Sequence, residues 1–438
     1  MLNNGGTGKD ALDFLIIGNG IAGISAAERI RRQGAEHRIT MISDESSLCY
    51  TRFLLPWYLG GFFKRKRLWC RSSNGYRSHD IRLVRKTRAE EISTANARVK
   101  AASGRLFPFD KLLLATGSEA AYPCHGTRLN RYKNFFPLRC KEDAEVMMTF
   151  LKEVQKCIII GGGRSGIQTA VALRAAGKTV SLLEQRKKLL PEKLDETASS
   201  LVEKGLADLG ISVMKRARVV NLEGAPPRMH VRTEDGRTLD AQLVVSAAGA
   251  RPRTDLAQSA GIPVRHGIMS NLRLETQVPG IFTAGEAAEI ENRAPGKSWN
   301  EAMRQGAVAG ANMAGETETI GGRTDLFSLC AGPMCILSYG LVDPWNVPEV
   351  NIASRLSKSG YYRKAVIEDH RVIGFLCMGN LQTDSIPGLI WGKERIGEML
   401  CGLPAEHPEK ALDRLDLLVS RAYRNLSISF SDFPFLFG

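Results

Sequence analysis

The sequence predicts an α/β protein built twice on one pattern, with a smaller α+β region towards its C-terminal end. Three observations carry that prediction. An apolar strand pattern, Asp13–Ile17, runs into Gly18-x-Gly20-x-x-Gly23 and on into a helical pattern. The same succession returns at Cys157–Ile160, Gly161-x-Gly163-x-x-Gly166 and the helical positions Ile167, Ala170, Val171 and Leu173. Each copy is followed later by a second apolar strand that ends in glycine, Leu112–Gly117 after the first and Gln242–Gly249 after the second. Strand, glycine turn and helix in that order make a Rossmann-like, dinucleotide-binding arrangement. The glycines permit a tight turn, close approach of backbone to a pyrophosphate, and close packing of helix on strand. The helix N-terminus then offers unpaired N–H groups to the phosphates.

In order along the chain, the first helix is expected to run to about Arg32 and to close at Gly34. Strand Arg38–Ile42 follows and ends in Ser43-Asp44-Glu45. Asp44 lies 21 positions beyond Gly23, so Asp44 or Glu45 is the candidate ribose-binding acid. A basic run, Lys64-Arg-Lys-Arg67, and a scatter at Arg71, Arg77, Arg82, Arg85, Lys86 and Arg88 come next. They read as a solvated face or, more sharply, as a docking patch for an acidic partner. Hairpin strands over 92–114 lead to Ala115-Thr116-Gly117-Ser118, where backbone can lie close to a ligand.

The second fingerprint helix is expected to reach about Ala176. Strand 179–183 then delivers Glu184, near the spacing of about 20 residues expected for a ribose-binding carboxylate. A helix over about 195–208, a strand at 211–214 and hairpin strands around 218–240 complete the second copy. Beyond Gly249 come Ala250-Arg-Pro-Arg-Thr-Asp255, Thr283-Ala-Gly285-Glu286 and a helix around 299–311, whose Ala302, Gly306 and Gly310 allow close backbone packing. Residues 323–400 are strand-rich. A helix over 409–424 and an aromatic tail (Phe430, Phe433, Phe435, Phe437) close the chain, and such a tail is expected to pack on this subunit or another.

The 438 residues are enough for two or three domains. A formal charge of +14 favours anionic partners, without choosing among them. No secretory signal is expected, because Met1–Lys9 is polar and glycine-rich. No membrane span is expected either, because the apolar run 12–24 is short and broken by glycines. Nine scattered cysteines suit a reducing cytoplasm better than a disulfide framework. The seven histidines never pair with cysteines at ligand spacing, which leaves no candidate metal site. Without a helix-turn-helix or RNA-binding signature, no nucleic-acid partner is expected.

Over nearly its whole length the sequence resembles the flavin-dependent pyridine nucleotide–disulfide oxidoreductase superfamily. The two fingerprints, Ala115-Thr-Gly-Ser118, Gly249-Ala-Arg-Pro252 and Thr283-Ala-Gly-Glu286 occur in the family's order. Tyr50-Thr-Arg52 with the leucines after it, Trp299-x-x-Ala302-x-x-Gln305-Gly306, Tyr361-Tyr-Arg-Lys364 and Val372-Ile-Gly374 resemble the branch of NADH:rubredoxin reductases and the flavoprotein part of assimilatory nitrite reductases. The resemblance implies an FAD-binding domain made of residues 11–125 and 246–320. It implies an NAD-binding domain (126–245) inserted within it, a small α+β domain (321–400), and a helical and aromatic tail (401–438). FAD would lie on Gly18, Gly20, Gly23, an acid at Asp44 or Glu45, Arg52, Thr116, Gly117, Gly249, Gly285 and Glu286. In the family an Asp usually stands where this chain has Glu286. NADH would lie on Gly161, Gly163, Gly166 and Glu184. A carboxylate at 184 accepts from ribose hydroxyls and repels the extra phosphate of NADPH, although Arg186, Lys187 and Lys188 stand close in sequence. Gln168 replaces a glutamate common in the family. The helix from Trp299 would point its positive end at the flavin.

The chemistry so implied passes hydride from NADH to FAD and then electrons to a small redox protein, rubredoxin-like or iron–sulfur and acidic enough to suit the basic run. The alternative is a non-catalytic or regulatory flavoprotein subunit of a larger redox complex, with oligomerisation through the C-terminal region. No side-chain acid or base is assigned. The family's disulfide reductases carry Cys-x-x-x-x-Cys early in the FAD domain, and this chain has none there. Cys49 is expected to lie outside the redox position. Cys330-Ala-Gly-Pro-Met-Cys335 has the spacing in another domain. In a plain strand its cysteines would face opposite sides, a constraint that the Gly-Pro turn could lift, and two buried thiols are expected.

Overall fold

A computed structural model of the chain describes residues 11–34, 36–124, 134–291, 296, 298–321, 327–344, 350–357, 361–369, 371–379 and 412. The expected helix 409–424 (apart from Leu412), the aromatic tail and the stretch 380–400 lie outside the described residues. The chain forms two compact units: Met1–Thr51, Arg65–Glu119 and Ala250–Arg323 in the first, and Arg52–Lys64, Ala120–Gly249 and Thr324–Gly438 in the second.

The first unit centres on a five-stranded parallel sheet in the order Ile281–Thr283, Lys111–Leu114, Asp13–Ile17, Arg38–Ile42, Ile81–Val84. Phe14-Leu-Ile-Ile17 is an unbroken apolar run because its strand is central and both faces are covered, the usual reading of a parallel strand. Strand Ile81–Val84, hidden in the basic scatter, sits at the sheet edge, where Arg82 can face water. The first fingerprint helix (Ile21–Gln33) is backed by the helix Trp299–Met313. Their backbones almost touch. A Cβ on Gly306 would lie 2.1 Å from the Ala22 carbonyl oxygen, and one on Gly310 would lie 2.5 Å from that of Ala26. Only glycine fits those two positions, which is why the small-residue spacing exists. The seam is sealed by Ile24, Ile30, Val308 and Met313, each worth about 1.5–3 kcal/mol when fully buried.

The second unit repeats the sheet: Ser212–Met214, Thr179–Leu183, Lys156–Ile160, Leu243–Ser246 and Phe135–Pro137, all parallel. An antiparallel sheet of Val219–Ala225, Arg228–Thr233 and Thr238–Ala241 adjoins it in sequence. A second antiparallel sheet follows, ordered Phe327–Ala331, Met334–Gly340, Arg371–Gly379, Tyr362–Glu368, Asn351–Leu356. Its inner face, including Phe327, Leu329, Ile336 and Leu376, shares one core with Leu189, Val202 and Leu206. Asp195 pins this sheet to helix Glu196–Asp208. Its Oδ1 caps the helix at the Ala198 N–H (2.9 Å), while Oδ2 accepts from Tyr362 Oη (2.7 Å) and Lys364 Nζ (2.9 Å). Burial opposes ionisation of this carboxyl, but the Ala198 N–H, Lys364 and Tyr362 outweigh it and hold Asp195 below the usual carboxylate range.

One expectation needs correcting. Two buried thiols are expected at Cys330 and Cys335, and only Cys335 is buried. The two face each other across a hairpin whose turn is Gly332-Pro333, with their sulfurs 2.7 Å apart, and Cys330 is only half-buried. The reversal of chain direction puts both side chains on the same face.

Candidate functional site

Each parallel sheet carries its glycine turn at the end of a central strand. Gly18 has φ +116° and Gly161 has φ +115°, a conformation that side chains rarely adopt. The surroundings forbid a side chain as well. A Cβ on Gly18 would lie 2.1 Å from the Ala115 carbonyl oxygen, and one on Gly161 would lie 2.3 Å from that of Ala247. Gly23 and Gly166 close the turns: a Cβ there would lie 2.1 Å and 1.8 Å from the carbonyl oxygens of Gly18 and Gly161. Gly20 and Gly163 are the N-caps of the two helices. Neither N-cap has a side-chain hydrogen bond, neither first turn holds an acid, and a Cβ at either glycine would meet nothing within 4 Å. An open helix N-terminus with its N–H groups turned to a bare glycine face is the chemistry that receives a pyrophosphate. Both sites fit a dinucleotide.

The acids differ. Asp44 is half-exposed, two residues past its strand, with Oδ2 3.5 Å from Arg253 Nη1. Arg253 is itself anchored to the end of the neighbouring strand: its N–H donates to the Gly117 carbonyl (2.9 Å) and its carbonyl accepts from Thr116 Oγ1 (2.8 Å). Asp44, Thr116 and Gly117 are therefore brought together through Arg253, a residue not singled out from sequence. Its only signal was the Arg-Pro-Arg run beyond Gly249. Glu45 follows the Ser43 turn, where its N–H donates to Ser43 Oγ (3.2 Å).

Glu184 is buried directly after its strand. Oε2 accepts from the Gly162 N–H (2.7 Å), inside the glycine turn, and Oε1 accepts from the Arg186 N–H (2.8 Å). Each oxygen keeps lone-pair capacity for a hydroxyl. Of the three basic residues nearby, Lys188 is committed inside the unit to the Leu194 carbonyl (2.9 Å) and Asp343 (2.6 Å), leaving Arg186 and Lys187 exposed. Arg164 opens the second fingerprint helix with its guanidinium 4.6 Å from the Phe327 ring centroid. Its Nε is buried without a hydrogen-bond partner among the described residues, and burial pulls its pKa down to about 10.

The Thr283–Glu286 segment is held from behind. Gly285 turns at φ +83°, and its N–H donates to Gln305 Oε1 (2.7 Å), which Glu301 orients through Gln305 Nε2 (3.1 Å). The Glu286 carboxylate accepts from Ser118 Oγ. Gly117, with φ +66°, presents open space. Gly249 (φ +120°) belongs to the second unit, where its carbonyl accepts from the Ala121 N–H (3.1 Å). Arg52 also falls in the second unit, donating from Nη1 to the Arg139 carbonyl (3.0 Å). Gln168 is half-buried on its helix. Lys64, Arg65, Lys66 and Arg67 are all exposed, whereas Arg71 is consumed by Glu28. Among the described residues no group of three metal-ligating side chains occurs, and no helix is long and apolar enough to cross a membrane.

The chain is 28% identical over 377 residues to the assimilatory nitrate reductase electron transfer subunit of Bacillus subtilis (strain 168), covering 84% of this chain and 47% of that one. It is 29% identical over 372 residues to the nitrite reductase (NAD(P)H) of the same organism, covering 84% and 45%. It thus spans about half the length of these relatives. In fold it matches the reductase in the crystal structure of the covalent putidaredoxin reductase–putidaredoxin complex, with a TM-score of 0.81, 23% identity, and coverage of 94% of this chain and 99% of that one. Residues 12–306, which hold both glycine turns and both strand-end acids, match the pyridine nucleotide-disulphide oxidoreductase family. The chain belongs to that family, an oxidoreductase with FAD and NAD(P)H as its cofactors.

Proposed function

We propose that the protein is an NADH-dependent flavoprotein reductase that delivers electrons to a small acidic carrier protein of rubredoxin or iron–sulfur type. The observation that carries the reading is the duplicated turn, one per unit, with a different acid beside each. FAD is assigned to the first unit. There the Gly18–Gly23 turn receives the pyrophosphate, Asp44 or Glu45 meets the ribose, Arg253 neutralises charge nearby, and Thr116, Gly117, Gly285 and Glu286 line the rest. Arg52 and Gly249 join this set on family resemblance alone. NADH is assigned to the second unit, on Gly161, Gly163, Gly166 and Glu184, with Arg164 as an added cation for the phosphates. Bound FAD supplies two-electron acceptance from the nicotinamide and onward delivery of electrons.

Glu184 supports NADH over NADPH. Its carboxylate is fixed by two backbone N–H groups and faces any 2′-phosphate with negative charge. Anaerobic mixing with NADH should bleach the flavin absorbance within seconds, and NADPH should do so at least tenfold less efficiently. Equal efficiency with both would remove the NADH assignment. The exposed Lys64–Arg67 run supports an acidic carrier. Reduction of such a carrier should slow steeply as salt rises, since exposed charges are screened beyond about 8–10 Å. A flat salt response would end the acidic-carrier reading.

The length of the relatives favours a second reading, in which the chain is the flavoprotein component of a larger redox assembly. Copurification of a stoichiometric redox partner would select it.

A further inference from the structure

The first unit holds a pair of thiols that neither glycine turn uses. Cys49 and Cys70 are 21 positions apart in sequence, so they are not a closely spaced motif pair. The structure places them opposite one another on two antiparallel segments. Tyr50 bridges Trp69, the Thr51 N–H donates to the Leu68 carbonyl (2.8 Å), and the Cys70 N–H donates to the Cys49 carbonyl (3.1 Å). Directly opposed residues on antiparallel strands have Cα atoms about 4.5–5.5 Å apart, inside the 4.4–6.8 Å range of disulfides. The two sulfurs are already 2.8 Å apart.

The two thiols are unequal. Cys49 is fully buried, while Cys70 is partly exposed. Cys70 sits with the Arg71 guanidinium donating to its own carbonyl (2.7 Å). The Cys49 thiol and then the Arg71 charge stabilise the Cys70 thiolate and lower its pKa against the opposing effect of burial. Burial acts the other way on Cys140 and Cys157, pushing both up to about 12. Cys49 is also tied to the first glycine turn. Its N–H donates to Tyr76 Oη (3.1 Å), and Tyr76 Oη donates to Asn19 Oδ1 (2.6 Å), between Gly18 and Gly20.

We propose that Cys49 and Cys70 form a reversible thiol–disulfide switch, with Cys70 as the attacking sulfur and Cys49 as the resolving one, oxidised by a low-molecular-weight disulfide. The Cys70 thiolate attacks one sulfur of the small disulfide, forming a mixed disulfide and releasing one thiolate. Cys49 then gives up its proton, attacks the Cys70 sulfur, forms the Cys49–Cys70 bond and expels the second thiolate. Two protein thiols lose two electrons and two protons, and one small disulfide becomes two small thiols. The order follows from access, because an outside disulfide cannot reach Cys49. Reversal by excess small thiol suits a reducing compartment. The bond would close the chain across residues 50–69 and fix the backbone group that holds Tyr76 and, through it, Asn19. The inference is independent of which carrier accepts the electrons.

The test is incubation of the full chain at pH 7 in buffers of set oxidised-to-reduced glutathione ratio, followed by acid quenching, alkylation in denaturant and peptide mapping. The expected result is a Cys49–Cys70 cross-linked peptide that disappears as the ratio falls, with Cys140 and Cys157 alkylated throughout. Cys49→Ser should trap glutathione on Cys70, and Cys70→Ser should leave Cys49 free of glutathione. An unmodified Cys70 in the wild type, or a wild-type Cys70 carrying glutathione without bridging, would overturn the proposal. The wild-type map decides alone should either variant misfold.

Discussion

The two glycine turns are near copies in backbone, and what stands beside them is not. Gly18 and Gly161 differ by one degree in φ, and the helices they lead into both start from bare glycine N-caps. The acids diverge in residue type, position and burial: Asp44 lies half in water against Arg253, while Glu184 is buried and gripped by two N–H groups. Both turns answer to the same crowding, with a carbonyl oxygen standing where a Cβ would lie at the first and last glycine of each. In the proposed assignment both acids meet the ribose that FAD and NADH share, so the contrast lies in how the protein holds each carboxylate: one against an arginine at the surface, the other on two backbone N–H groups.

That contrast can be broken or sharpened by substitution. The largest effect should come from Gly18→Ala and Gly161→Ala. Each forces a side chain into a left-handed residue and against a carbonyl, for a loss on the order of 3 kcal/mol. Urea unfolding should show similar losses for the two; a mild effect at one turn would show that the copies are not equivalent. Next is Glu184→Ala, which strands the N–H groups of Gly162 and Arg186 at a cost of about 2 kcal/mol. Loss of the charge-assisted bond to a ribose hydroxyl, roughly 1.5–3 kcal/mol, should lower NADH affinity about 10- to 150-fold, with NADPH affinity much less affected. An equal loss for both would make Glu184 a brace for the turn and nothing more. The smallest effect should be that of Asp44→Ala. A partly exposed ion pair contributes about 0–1 kcal/mol, so unfolding should shift by no more than that. A larger shift would make Asp44 as structural as Glu184.

Much of this was legible because glycine and apolar strands leave strong marks. The fingerprint strands, their helices, strand Arg38–Ile42 and the glycine seam of the helix after Trp299 all carry periodicity or spacing that backbone geometry dictates. Strands Ile81–Val84 and Asn351–Leu356 were not legible. Both are edge strands, one carrying exposed Arg82 and the other exposing Ile352 and Leu356, so neither shows the alternation of a half-buried strand. Arg253 was hidden for another reason: its role depends on two strand ends converging, which no local pattern records. The Cys330–Cys335 contact turned on a two-residue turn that reverses the facing rule. Cys49 and Cys70 meet only because two distant segments pair.

The glycine seam between Ile21–Gln33 and Trp299–Met313 also sets an order of assembly. The first helix is synthesised early, yet the surface made to receive Gly306 and Gly310 stays uncovered until nearly three hundred further residues have been made. The sheet beneath it gains its last strand, Ile281–Thr283, almost as late. Contacts of such long sequence separation are slow to form and leave apolar surface exposed meanwhile. During synthesis the intervening stretch 120–249, whose sheet strands all lie within it, has every partner strand before the first unit has its own. Of the two parallel sheets, the one that begins the chain is therefore the last to be completed.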